Sequence, residues 1–196
     1  MTRRLLAALA TTLTLAPTIA FAHPGFGEAH DFTHGFLHPL NGVDHIIAMV
    51  AIGMLAARLG GRALWLMPAA FVTVMAAAGV IGAAGIVTPY VETGIALSVL
   101  VLGAAVAFDF AMPTALAVAL VGFFAIFHGH AHGTEMPATA SGLSYGLGFV
   151  AATVMLHAIG IGLGLLIASV PFGRRVSQIA GVAAAIIGAA LLAGVA

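Results

Sequence analysis

Two stretches of this chain place imidazole and carboxylate side chains next to long apolar runs. The first reads His38-Pro-Leu-Asn-Gly-Val-Asp44-His45, and the second reads Phe127-His-Gly-His-Ala-His-Gly-Thr-Glu135. Ionisable groups are costly inside a membrane, so they usually mark a functional site there. Imidazole and carboxylate ligands without thiolate suit Ni²⁺, Co²⁺, Zn²⁺ or Cu²⁺, and softness alone does not separate these ions. The chemistry indicated is metal binding.

The spacing within the second stretch favours a shared ion. On a helix, His128 and His132 are four residues apart and project from one face, about 6 Å apart along the axis. Glu135 returns to that face, whereas His130 points elsewhere. We also expect Gly129 and Gly133 to loosen the helix and bring backbone carbonyls near the site.

The first stretch is harder to interpret. His38 and His45 are seven residues apart, about 10 Å along an ideal helix, so they share an ion only if the chain bends between them. The apolar run after His45 is short for a membrane span, which predicts a helix extending back to about His38. Asp44 has two interpretations. It either compensates the charge of an ion or forms a capping box with Asn41 as the N-cap.

Three helices are predicted to bring histidine to one level. His45, His128 and His157 lie roughly 18–22 Å from the cytoplasmic ends of their predicted helices. This distance places them in the outer half of a ~30 Å hydrocarbon core. For His157, an interhelical hydrogen bond explains the residue almost as well as a role as ligand. Near the amino terminus, His23, His30 and His34 are either auxiliary metal ligands or solvated polar residues.

Composition places the chain in a membrane. Of its 196 residues, 62% are hydrophobic and 6% are charged, and the mean hydropathy is +1.19. Soluble domains carry roughly 25% charged residues. Cysteine and lysine are both absent, which excludes disulfides, thiolate metal sites and a Walker A motif. The net charge is zero and there is no basic run, so nothing indicates nucleic acid as a partner.

The predicted fold class is an all-α membrane protein, a compact bundle of six transmembrane helices after a cleavable signal peptide. Residues 1–22 have the Arg3-Arg4 n-region, the short apolar core and the Ala20-Phe21-Ala22 ending of a signal peptide, cleaved before His23. Residues 23–196 then form one domain. Its predicted spans are residues 40–57, 63–87, 91–108, 114–130, 142–170 and 176–196.

The arginines predict the orientation of the bundle. With the mature amino terminus outside, all four arginines of the mature chain fall in cytoplasmic loops, as the positive-inside rule requires. They are Arg58, Arg62, Arg174 and Arg175. We therefore expect a multi-pass protein of the bacterial inner membrane, in contact with the lipid bilayer, with both termini periplasmic. The sequence leaves its oligomeric state open.

The two histidine stretches resemble the signatures of the HupE/UreJ family, and the signal peptide with six compact spans also fits that family. The resemblance covers essentially the whole chain. It implies a nickel permease, with cobalt as the substrate of a relative, linked to hydrogenase or urease maturation. It further implies metal recognition by a set of residues from both stretches: His38, Asp44, His45, His128, His132 and Glu135.

The leading hypothesis is a secondary, ATP-independent transporter that takes a divalent transition-metal ion, Ni²⁺ in the first place, from periplasm to cytoplasm. It is not an enzyme and needs no prosthetic group. One alternative is an intramembrane zinc hydrolase with Asp44 or Glu135 as general base, although no HExxH motif occurs. Another is a periplasm-facing metal sensor or delivery protein, for which the short loops leave little docking surface.

Overall fold

The computed structural model describes residues 27–195. Within that range it contains α-helices and one 3-10 turn, and no β-strand. The helices are α1 (Gly27–Leu37), α2 (Val43–Leu59), α3 (Ala63–Ala83), α4 (Val91–Ala107), α5 (Thr114–Thr134), α6 (Gly142–Ala168) and α7 (Gly173–Leu192). The predicted signal peptide and His23 lie outside the described residues.

The all-helical, membrane-type architecture is confirmed, and α2 to α7 follow the six predicted apolar segments. Four helices, α3, α5, α6 and α7, are long and apolar enough to cross a membrane. Together, α1 and α2 would make a fifth, bent span, and α4 has only 17 residues. The outside of the bundle is apolar as well. Trp65, Val80, Leu166 and Ile179 are all more than half exposed, as expected for side chains that face lipid.

The first histidine stretch is not one continuous helix, which corrects our expectation. His38–Leu40 form a 3-10 turn with Pro39 inside it, and α2 begins only at Val43. Across this break the chain axis turns by 78°. The change of direction falls after Leu40, at Asn41 and Gly42, and Gly42 has an extended backbone (φ −89°, ψ 111°). This is the bend that His38 and His45 require to approach one another.

Two other boundaries also differ from expectation. Helix α5 continues to Thr134, so His132 lies within the helix instead of in the loop after it. Helix α7 begins at Gly173, which places Arg174 and Arg175 in its first turn and not in a loop.

The bundle is built around α2, which contacts every helix from α3 to α7. Its inward residues Ala48, Met49, Ile52 and Leu55 are completely buried. The closest packing joins α3 to α5, α4 to α7, and α2 to α6, while α1 lies along α6. We call the end of the bundle that holds His38 and Glu135 the histidine end, and the opposite end the arginine end.

Glycines explain why these pairs pack so closely. A Cβ on Gly129 or Gly133 of α5 would overlap the backbone of α3 at Met75 and Gly79. A Cβ on Gly53 or Gly160 would likewise overlap backbone atoms where α2 packs against α6. Membrane helices commonly associate through such small residues. The glycines of the second histidine stretch therefore serve packing, and our expectation that they loosen α5 is wrong.

Candidate metal site

The histidine end contains two groups of side chains with the geometry of metal ligands. The outer cluster is His38, His132 and Glu135, and the inner cluster is His45, His128 and His132. Within each cluster, one ligand atom per residue lies within 4.8 Å of the others. His132 belongs to both, so the clusters adjoin.

The outer cluster is partly open to solvent. His38 Nε2 lies 2.8 Å from Glu135 Oε2 and 3.1 Å from His132 Nδ1, and His132 Nδ1 lies 3.1 Å from the same carboxylate oxygen. When two ligand atoms each lie about 2.1 Å from an ion and the ligand–ion–ligand angle is a right angle, the two atoms are about 3 Å apart. The three atoms are therefore spaced as neighbouring ligands of one ion.

Glu135 supplies the negative charge of the outer cluster. The carboxylate follows the last turn of α5, and its side chain is 52% exposed. Hydrogen bonds from His132 and then from His38 lower the pKa of Glu135 to about 2, although partial burial opposes them. The carboxylate is therefore ionised at any pH at which a cell grows.

The inner cluster is dry. The side chains of His45 and His128 are completely buried, and His132 Nε2 lies 3.3 Å from His45 Nδ1. The rings of His45 and His128 stand nearly edge to face, with centroids 5.3 Å apart. No carboxylate belongs to this cluster among the described residues, so an ion there keeps most of its charge.

Two hydroxyl groups contact the Nε2 atoms of the buried histidines. Thr153 donates its hydroxyl hydrogen to Phe149 O and so accepts from His45 Nε2, which lies 3.3 Å away. Ser98 donates to Ile95 O and accepts from His128 Nε2 at 2.8 Å. With the hydroxyl hydrogens on these two carbonyls, the Nδ1 atoms of both rings carry lone pairs. Such hydrogen bonds behind a ligand orient it and set its tautomer.

His132 then faces acceptor atoms on both sides. A neutral imidazole carries one N–H hydrogen, so it satisfies either Glu135 through Nδ1 or His45 through Nε2. The ring nitrogen of His132 without a hydrogen then points its lone pair at the lone pair of His45 Nδ1 or at the carboxylate of Glu135, about 3 Å away. A cation between these atoms relieves the repulsion. In either tautomer, the protein offers one cluster that favours a cation.

Asp44 lies outside both clusters, and its Oδ1 accepts a hydrogen bond of 2.7 Å from the backbone N–H of His45. The capping-box interpretation is wrong, because the N-cap of α2 is Gly42 and no side chain caps that helix. The position of Asp44 in the first turn still favours a negative charge.

The remaining predicted histidines are placed apart from the clusters. His157 is buried on α6 and belongs to neither of them. His130 points away from them, as predicted, and its Nε2 bonds Ile86 O at 2.7 Å. His34 lies on α1 with its ring 6.4 Å from that of His38, and His30 lies one turn earlier on the same helix.

Sequence reasoning did not find Ser98 and Thr153. Each is a completely buried hydroxyl residue in the middle of an apolar helix. That position is the signal that could have identified them, because a buried hydroxyl in a membrane helix needs a partner.

Comparison with known proteins identifies the family of this chain. A family model described as HupE / UreJ protein matches residues 11–191. The chain belongs to the HupE/UreJ family. Protein HupE from Rhizobium leguminosarum bv. viciae is 50% identical over 190 residues, covering 93% of this chain and 97% of that relative. No solved structure matches. The resemblance inferred from the two histidine stretches is thus confirmed.

Proposed function

We propose that this HupE/UreJ family member is a secondary transporter that moves a divalent transition-metal ion, Ni²⁺ in the first place, from periplasm to cytoplasm. One observation carries the proposal: His132 presents Nδ1 to a solvent-accessible cluster and Nε2 to a buried one. A ligand shared by an open and a dry site suits an ion in transit better than an ion held permanently.

Capture takes place at the outer cluster. Glu135 and His38 are reached from solvent, and the ionised carboxylate offsets part of the charge of the ion as it loses water. A cavity of about 450 Å³ also adjoins His132, but its walls are mostly apolar side chains of α3, α5 and α6. Such walls do not favour a hydrated ion, so we assign entry to the carboxylate side.

Transfer to the inner cluster uses the second nitrogen of His132. Because a neutral imidazole has a single lone pair, His132 ligates in one cluster at a time, and the ion changes cluster when the tautomer changes. Three neutral imidazoles hold a divalent ion less firmly than a site with a carboxylate. The buried position is therefore one the ion can leave.

The driving force is the ion gradient with the membrane potential, worth about 2.3 kcal/mol per charge per 100 mV. The chain lacks a Walker A motif for ATP hydrolysis. We propose a role without catalysis and in support of hydrogenase or urease maturation. The family match gives no support to a zinc hydrolase.

The test is uptake of radioactive Ni²⁺ by proteoliposomes containing the full-length protein, with and without an imposed potential. His132→Ala removes a ligand from both clusters, so uptake should fall by about 10–100-fold. His130→Ala is the matched control, two residues earlier on the same helix and outside both clusters. Competition by Co²⁺, Zn²⁺ and Cu²⁺ then ranks the ions.

Two results would contradict the proposal. One is wild-type protein that moves no Ni²⁺, Co²⁺, Zn²⁺ or Cu²⁺ under either condition. The other is His132→Ala protein that transports as fast as the His130→Ala control at equal amounts in the membrane.

A further inference from the structure

His157 is a buried side chain whose polar atoms have no partner. The residue is 1% exposed, and neither Nδ1 nor Nε2 makes a hydrogen bond within the described part of the chain. Leaving a buried polar group unpaired costs about 1–3 kcal/mol. A role in packing alone would be served better by an apolar side chain of similar size, so these nitrogens require another explanation.

Its place along α6 connects it to the inner cluster. His157 lies four residues after Thr153, whose hydroxyl holds His45, and one turn advances about 6 Å along a helix. Since α6 runs from the histidine end to the arginine end, His157 lies one turn nearer the arginine end than Thr153, the residue that contacts His45.

The ring of Phe71 contacts both His157 and a member of the inner cluster, His128. Its centroid is 5.7 Å from that of His128 and 5.4 Å from that of His157. His128 Nδ1 is also buried without a partner. Two histidines with unpaired ring nitrogens thus contact one aromatic side chain, which can move by rotating about its side-chain bonds.

The contact with Phe71 does not by itself account for a histidine. Aromatic pairs contribute about 0.5–1.5 kcal/mol beyond the burial of their area, and a phenylalanine at position 157 would make the same contact. It would do so without two unpaired nitrogens.

We propose that His157 is a further metal ligand, outside both clusters, which receives the divalent ion from the inner cluster and passes it on toward the arginine end. This inference rests on the transport function proposed above. A neutral imidazole suits the same borderline ions as the other histidines. His157 thereby supplies the first ligand on the path from the inner cluster toward the arginine end.

The experiment compares two substitutions of nearly equal volume, His157→Leu and His157→Met. Leucine fills the space without a ligand atom, whereas the methionine sulfur keeps a lone pair. The initial rate of radioactive Ni²⁺ uptake into proteoliposomes should fall at least about tenfold for His157→Leu. His157→Met should transport severalfold faster than His157→Leu. Equilibrium binding of Ni²⁺ to the purified variants should stay as in the wild type, because both clusters remain intact.

His130→Leu is the matched control, since it makes the same chemical change at another buried histidine, one that bonds a backbone carbonyl. It should lose thermal stability and keep its uptake rate per folded molecule. This separates loss of a ligand from loss of a buried ring.

The outcomes separate this inference from the transport function. If the wild type moves no ion, the proposed function fails and this inference fails with it. If the wild type transports and both His157 variants match it, or fall by equal amounts, only the role of His157 is overturned. Failure of both variants to accumulate as folded protein would show that His157 serves packing, and would also overturn the inference.

Discussion

At the scale of single residues, the site depends on which nitrogen of each ring is free. Ser98 and Thr153 hold the Nε2 sides of His128 and His45 and so leave the Nδ1 sides for an ion. No hydroxyl group of the described residues sets which ring nitrogen of His132 carries the hydrogen, because an acceptor lies beside each of the two nitrogens. The hydroxyl groups behind the ligands are therefore as much a part of the site as the ligands themselves.

A single substitution tests the role of Asp44. It contributes no ligand to either cluster, yet its carboxylate adjoins His45, in the cluster that lacks a counter-charge. Asp44→Asn keeps an oxygen that can accept the His45 N–H, so the protein should fold and melt as the wild type does. Uptake of radioactive Ni²⁺ should be lost, because a divalent ion bound by His45 in a low dielectric loses the negative charge beside that residue.

Expression must be matched in that measurement, so that folding is not mistaken for transport. Normal uptake by well-expressed Asp44→Asn protein would show that the carboxylate serves only the backbone of α2.

At the scale of elements, the two histidine stretches meet because glycine lets helices approach. Helix α5 carries His128, His132 and the residue that follows its end, Glu135, and it lies against α3 at Gly129 and Gly133. Helix α2 brings His45 from the other side, and the 78° bend before it brings His38 back over the cluster. The site is thus made by three chain segments, and its precision depends on how closely they pack.

Gly129→Ala should damage the site without touching a ligand. The added Cβ would overlap the backbone of Met75, so α5 must move away from α3 and carry His128 and His132 with it. Small increases in core volume typically cost 1–3 kcal/mol. We expect a lower melting temperature and slower Ni²⁺ uptake.

Gly122→Ala is the control for that substitution. It lies on the same helix, and its Cβ would meet only Val74 Cγ2, at 3.9 Å. A melting temperature and uptake at least equal to the wild type are expected, because alanine is the better helix former by roughly 1 kcal/mol. Equal effects at both positions would contradict the packing argument.

At the scale of the whole molecule, charge is confined to the two ends. At the arginine end, Asp109 Oδ1 lies 2.7 Å from Arg58 Nε, and its Oδ2 lies 3.0 Å from Arg174 Nη2. This carboxylate joins the ends of α2 and α7 beside the end of α4. The histidine end, about 30 Å away along α5, carries no arginine among the described residues. From this distribution the positive-inside rule predicts that the arginine end faces the cytoplasm.

Labelling of introduced cysteines tests that orientation, because the chain has none of its own. Thr139→Cys places a thiol in the exposed loop after the second histidine stretch, and Phe172→Cys places one at the arginine end. A membrane-impermeant maleimide should label the first in intact spheroplasts. It should label the second only after the membrane is opened, and the reverse pattern would invert the proposed direction of transport.

The positions of the helices and the faces of α5 could be predicted from the sequence alone. Hydropathy and arginine position depend on each residue and its near neighbours, so they located the helices α2 to α7 to within a few residues. Helical spacing likewise predicted that His128 and His132 share a face with Glu135 while His130 does not, because that spacing is a local property.

Only the tertiary structure decided which histidines meet. The sequence did not show that His132 is shared, that Asp44 lies outside both clusters, or that Ser98 and Thr153 set the tautomers. It also left open whether His157 has a hydrogen-bond partner. These facts depend on contacts between helices far apart in the chain, and those contacts are set by glycine positions and by the bend between Leu40 and Val43. Hydrophobic pattern tells which segments are buried in a membrane, but the relative rotation and depth of packed helices follow from side-chain shape.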